Sequence, residues 1–208
     1  MQNLPHDYTD SWKNRIVFEK QLELNKRELL NYPAHWSIFV KMMQYVLQKN
    51  DHAKLLDIGC GCGTYYKLCK DTFGESVKYN GIDYSIESIE IAKKEWSEDS
   101  FECKNLFEID KDYLSKYDTV SLGALLDVLK NGDSALEFLL KFAIPNVIIG
   151  RAELVAGDSS ADTYMAYGAI TTYKFRHNID NFVRIIQQNN YRIVYSVNDN
   201  FLLEYNND

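Results

Sequence analysis

The chain has 208 residues, 46% hydrophobic and 25% charged, which suits one domain with a full core and excludes wholesale disorder. Its net charge of −7 gives no electrostatic footprint for a phosphate backbone, so no nucleic-acid partner is expected. No apolar run comes near the ~20 residues that span a bilayer, so no membrane partner is expected either.

Positions 1–15 are polar and lack the apolar core of a signal peptide, so a cytoplasmic chain is expected. Residues 16–31 place Ile16, Leu22, Leu24, Leu29 and Leu30 among charges at helical spacing. Tyr32-Pro33 stops that helix, because proline disfavours helical geometry in the residue before it. A second helix is predicted over 35–49. Lys54–Ile58 then reads as a buried strand entering the run Gly59-Cys-Gly-Cys-Gly63. Residues 64–73 suit a helix, 77–82 a second strand, and Ser85 caps a helix running to Trp96. Further strands are predicted over 101–105, 117–122 and 146–150, with a helix over 133–142. The stretch 151–176 shows no clear periodicity, and a long irregular segment in a compact domain is often functional. A helix over 178–189 follows, then strands 191–197 and 201–205 around the turn residues Asn198-Asp-Asn200.

Strands alternating with helices imply an α/β fold: a doubly wound, mostly parallel sheet with helices on both faces and a closing antiparallel hairpin. One domain covers 1–208, with a helical lid over 1–50, a core over 53–150 and closing elements over 151–208. Cys60, Cys62, Cys69 and Cys103 do not make a zinc framework. Cys60 and Cys62 have one residue between them rather than two to four, and no second pair follows. Apolar packing suits them better, and no metal is expected.

The glycine run sits where such a sheet binds its ligand, past the carboxyl end of the first strand. Asp83 ends the next strand about 20 residues later, at the distance where an acid grips ribose hydroxyls. Two adenosine ligands use this geometry. A dinucleotide fingerprint is G-x-G-x-x-G, whereas this chain has G-x-G-x-G, with Asp57 two positions earlier. A carboxylate there repels a pyrophosphate and suits a cationic amine, which favours S-adenosylmethionine (SAM) over a nicotinamide dinucleotide.

On these motifs the sequence resembles the small, single-domain class I SAM-dependent methyltransferases. Leu55-Leu-Asp-Ile-Gly-Cys-Gly-Cys-Gly63 is similar to the family's first motif, which implies that Asp57, Gly59, Cys60, Gly61 and Gly63 hold the methionine moiety. Tyr79-Asn-Gly-Ile-Asp-Tyr-Ser85 resembles the second, which implies ribose at Asp83 and adenine packing at Tyr84. Asn105 and Leu106 stand in the third, beside the adenine amino group, where the family usually carries an aspartate. Leu122 and Gly123 open the segment after the fourth strand, which often touches both cofactor and acceptor. That segment frequently ends in a histidine; here Asp127-Val128 stands in its place. The resemblance also implies a Rossmann-like fold, conversion of SAM to S-adenosylhomocysteine (SAH), and an N-terminal lid. Tyr8 and Trp12 then lie over the cofactor or, equally, dock the first helix on the core.

Region 151–177 follows the fifth strand, where this fold commonly builds its acceptor pocket. Arg151, Tyr164, Tyr167, Tyr173 and His177 suit a small polar, ring-shaped or acidic acceptor; a β-extension with packed tyrosines is the other reading. His177, Asp127 and Tyr167 are the candidate catalytic groups, although a lone histidine is more often a structural hydrogen-bonder. Three classes stay open: an enzyme methylating a small molecule such as a sugar or other cell-envelope metabolite, an NAD(P)-dependent oxidoreductase, and a non-catalytic SAM-binding protein.

Overall fold

The computed structural model describes residues 7–206. Asn14 accepts from the Ile16 N–H and starts α1 (Arg15–Glu28); Pro33, in extended geometry, precedes α2 (Ala34–Leu47). Next come β1 (Ala53–Ile58), α3 (Thr64–Phe73), β2 (Val77–Asp83) and α4 (Ile86–Glu95), the last capped by the Ser85 hydroxyl as expected. β3 (Phe101–Cys103), a short α5 (Lys111–Leu114), β4 (Thr119–Leu122), α6 (Gly132–Leu140) and β5 (Asn146–Ile149) continue the alternation. The chain closes with β6 (Leu154–Val155), β7 (Ser160–Ala166), β8 (Ile170–Asn178), α7 (Ile179–Gln188), β9 (Tyr191–Val197) and β10 (Asn200–Tyr205).

Seven strands form one sheet in the order β3-β2-β1-β4-β5-β10-β9. The first five are parallel, and β10 lies antiparallel between β5 and β9. The expected doubly wound sheet and closing hairpin are both present. Strand periodicity divides the core into two layers. Leu56, Ile58, Val147, Ile149 and Leu203 face α6 and α7, while Leu55, Ile148 and Leu202 face α2 and α3. No helix among the described residues is long and apolar enough to cross a membrane.

The segment expected to be irregular is not. Residues 154–178 form a second sheet in the order β6-β8-β7, and Tyr167-Gly168 make its hairpin turn with φ of 52° and 60°. Left-handed geometry at both central residues matches the twist of the flanking strands. Val17 and Phe18 of α1 pack with Ala166 and Ile170 of this hairpin, and with Ile91 of α4 and Cys62 of the glycine run. Helix α1 is therefore fastened by a small apolar cluster of its own.

Gly63 was expected to touch the ligand. The structure gives it a packing role instead: at φ +76° it precedes α3, and a β-carbon there meets Phe101 at 2.6 Å and Ala92 at 3.0 Å. Gly63→Ala should cost roughly 2–4 kcal/mol of folding stability by urea denaturation, from backbone strain and overpacking together. Gly157→Ala, with nothing within 4 Å, should stay within about 0.5 kcal/mol of the parent. Equal effects would contradict this account.

Candidate functional site

Parallel strands leave their carboxyl ends on one edge, and β1 to β4 is the point where strand order reverses. A cavity of about 380 Å³ opens there. A second of about 110 Å³ adjoins it, and the two share Gly59, Gly61, Gln21, Ala124, Arg151 and Tyr167. The glycine run forms the ridge between them. Gly59 N–H and Cys60 N–H donate to the Ile82 carbonyl at 2.8 and 3.0 Å, stitching the run to the end of β2. Gly61 has φ +53°, and a β-carbon there would stand 2.7 Å from the Gln21 amide oxygen.

Two carboxylates flank this ridge, both buried. Asp83 accepts from Gly61 N–H and Ser85 N–H at 2.9 Å each and lines the larger cavity. Burial raises its pKa, and those two N–H groups oppose the rise. Asp57 lines the smaller cavity and accepts from the Tyr79 hydroxyl at 2.7 Å. Burial pushes its pKa up to about 7, against the Tyr79 hydrogen bond.

Tyr84, Asn105 and Leu106 line the larger cavity at its Asp83 end, as expected, with Lys104 and Phe107 beside them. The Asn105 side-chain oxygen Oδ1 accepts from the Phe107 N–H at 3.0 Å and caps that turn. Trp12 lines the cavity and donates from Nε1 to the Thr172 hydroxyl at 2.9 Å. Tyr8 is not in the wall; its ring stands edge-on to Tyr173 at 5.8 Å. Gly123 and Cys60 belong to the smaller cavity, whereas Leu122 is fully buried and points into the α6–α7 layer.

At the other end of the larger cavity stand Arg151, Tyr164, Tyr167 and Tyr173, with Lys130 and Val128. Arg151 follows β5 at φ +61° and places Nη2 3.5 Å from Asp127 Oδ2. Asp127 Oδ1 is buried without a hydrogen-bond partner, and burial pushes this carboxyl up to about 6 against the pull of Arg151. Tyr167 accepts from Gln21 Nε2 at 3.3 Å, and burial raises its phenol.

His177 does not join them. The ring is 0% exposed, lies between Phe175 and Phe182, and meets Asp133 through Nδ1 at 2.6 Å. Asp133 also accepts from Ser159 and Asn181; despite burial, these contacts and His177 hold its pKa below the usual value. No acceptor reaches a ring packed in this way, so the structure corrects the expected acceptor-site role of His177 to a structural one.

Gln21, Asn25, His35 and Tyr65 also line the smaller cavity and were missed in the sequence. One signal was available: Gln21 and Asn25 lie one turn apart, uncharged in a helix otherwise rich in charge.

Asp57 gives a prediction for the empty protein. Its folded value lies above the usual 3.8, so folding strengthens proton binding there. The cost of its charge is absent below that value, grows as pH rises and is complete above about pH 7. Asp57→Asn should therefore stabilise the ligand-free protein by up to about 4 kcal/mol at pH 8 and by under half as much at pH 5. Urea melts at the two pH values check this; equal effects at both would contradict it.

A family model described as a methyltransferase domain matches residues 49–194. Three solved structures share the fold at a TM-score of 0.60. The sugar N-methyltransferase KedS8 from Streptoalloteichus is 11% identical, over 88% of this chain and 92% of its own. Magnesium protoporphyrin IX methyltransferase from Synechocystis, solved with SAH, is 15% identical over 92% and 98%. DesVI from Streptomyces venezuelae is 14% identical over 92% and 98%. No curated protein matches the chain in sequence. The family match decides between the two adenosine ligands that the glycine spacing left open: the chain belongs to the methyltransferase domain family and has the fold of its SAM-dependent members.

Proposed function

We propose that this methyltransferase moves the methyl group of SAM to a small polar acceptor at the Arg151, Tyr164 and Tyr173 end of the larger cavity. A sugar or other cell-envelope metabolite is the acceptor class. The observation that carries the reading is the ridge of Gly59 and Gly61, with a buried carboxylate on either side and a cavity beyond each. The residues present fit the molecule: the ridge lets backbone approach it, and the buried Asp57 carboxylate beside it suits a cationic amine and repels a pyrophosphate. The likeness to a sugar N-methyltransferase supports the acceptor class.

SAM, when bound, supplies a methyl group on a sulfonium, open to in-line displacement. Asp83 spends one lone pair of each oxygen on backbone N–H groups, which leaves acceptor capacity for ribose hydroxyls. Tyr84 and Leu106 provide the flanks for adenine. Trp12, held by Thr172, roofs the cavity and limits water. Tyr164 and Tyr173 wall the acceptor end, where alignment supplies most of the rate. Asp127 lies behind Arg151, 3.5 Å from its guanidinium, and orients that side chain at the acceptor end. Tyr167 stays protonated and positions rather than accepts a proton.

Calorimetry with SAM tests the reading. Asp83→Ala should weaken binding by roughly 10- to 100-fold, the loss expected for acceptors paired to ligand hydroxyls. Gly61→Val should abolish binding in a folded protein, and NADPH should give no heat. Unchanged SAM affinity in folded Asp83→Ala would overturn the assignment. Methyl-labelled SAM with a panel of sugars and amino sugars then separates an enzyme from a silent binder by label appearing in the sugar.

A further inference from the structure

The acceptor end of the larger cavity offers hydrogen-bond donors and positive charge. Arg151 and Lys130 both line it, in a chain whose net charge is −7. Each is held loosely: Arg151 Nη2 lies 3.5 Å from Asp127 Oδ2, and Lys130 Nζ lies 3.5 Å from Asp7 Oδ2. A guanidinium has five N–H donors and an ammonium three, so both keep most of them for a ligand. Tyr164 adds another, because burial and then the Asp127 charge raise its phenol and keep it protonated. The Tyr173 hydroxyl is already spent, donating to Asp7 at 2.9 Å and accepting from the Tyr8 N–H at 3.2 Å.

Groups that could take up a proton stand elsewhere. Among the described residues the wall of this cavity includes no histidine, and its carboxylate is Asp83, at the cofactor end and bonded to two backbone N–H groups. His177 is enclosed between Phe175 and Phe182, and Asp127 stands behind Arg151. Burial raises the Tyr167 phenol, and its oxygen accepts from Gln21. A hydroxyl or ammonium acceptor has to lose a proton for methylation, and this wall has no base for either. A carboxylic acid, with a pKa of about 4, is ionised at neutral pH unaided and needs only donors.

We propose that the acceptor presents a carboxylate to the methyl group, held by Arg151 and Lys130, and that the product is a methyl ester. This rests on the SAM reading and narrows its acceptor class to acids, acidic sugars among them. A lone pair of one carboxylate oxygen forms the new bond to the methyl carbon, and the carbon–sulfur pair returns to sulfur. The anion and the sulfonium become a neutral ester and the thioether of SAH, and no proton moves. Donors on the other oxygen hold the acid in place and leave the attacking oxygen free, a charge-assisted way of setting the alignment.

Methyl-labelled SAM with glucuronate, glucose and glucosamine tests this. Alkali releases the label of a methyl ester as volatile methanol, whereas methyl ethers and methylamines keep it. Label should enter glucuronate, become volatile in alkali, and do so with a kcat/KM roughly tenfold or more above that for the other two sugars. Arg151→Gln should raise the glucuronate KM by roughly 10- to 100-fold. Lys130→Gln, at a more exposed site, should raise it by roughly two- to fivefold and stands in if the arginine variant does not fold. Alkali-stable label, label entering glucose or glucosamine in preference, or no label in glucuronate would each overturn the ester. An unchanged KM in both variants would overturn the assignment of Arg151 and Lys130. The SAM reading survives all of these results if calorimetry shows SAM bound; a parent that binds no SAM fails that reading, and the ester with it.

Discussion

The contact on which the site depends is Gly61 N–H to Asp83 Oδ2 at 2.9 Å, together with the two N–H groups of Gly59 and Cys60 on the Ile82 carbonyl. These bonds tie the loop after β1 to the end of β2 and hold the loop open as a ridge with a hollow on each side. The loop cannot relax into the hollows, because its backbone donors are spent on β2. It cannot grow side chains there either, since Gly61 has left-handed geometry and Gln21 stands against it. Everything that lines the cavities is positioned relative to that ridge.

Holding two carboxylates beside one loop carries a cost to folding. Asp57 and Asp83 are both buried, and each raises the pKa of its neighbourhood, as the Cys60 thiol shows: burial pushes it well up, and both carboxylates add to the rise. That favours the packing reading of the loop cysteines over a reactive one. A site that stores negative charge in this way gains when a cationic ligand arrives, which is the physical link between an unfavourable empty loop and a sulfonium cofactor bearing an ammonium group.

The parallel sheet was legible because its strands are buried on both faces and so read as apolar runs ended by Gly or Asp. Lys54–Ile58 and Asn146–Gly150 are of this kind. The second sheet was not legible, for two reasons. Six of the seven residues of β7 are exposed, so Ser160–Ala166 has no apolar alternation to read. β8 does alternate, but two of its buried positions are the polar Thr172 and His177, whose partners Trp12 and Asp133 lie 160 and 44 residues away. The same distance in sequence hid the nature of His177. The ridge residues Asp57, Gly59, Gly61 and Asp83 were found from spacing, whereas His35 and Asn25 were not, because a polar residue on α1 or α2 looks like part of a solvated face until the helices are seen against the glycine run.

Contacts between the N-terminal segment and the β7–β8 hairpin enclose the site. Asp7 accepts from the Tyr173 hydroxyl, Lys20 donates to the Tyr167 carbonyl, and Gln21 reaches the Tyr167 hydroxyl, so the N-terminal segment and the β7–β8 hairpin roof the site together. A crystal structure of the protein with SAH tests the central claim most directly. The account predicts the adenosine in the larger cavity, with ribose hydroxyls on Asp83, and the amino-acid end across the Gly59–Gly61 ridge in the smaller cavity. Adenosine density in the smaller cavity, or SAH bound away from the ridge, would contradict it.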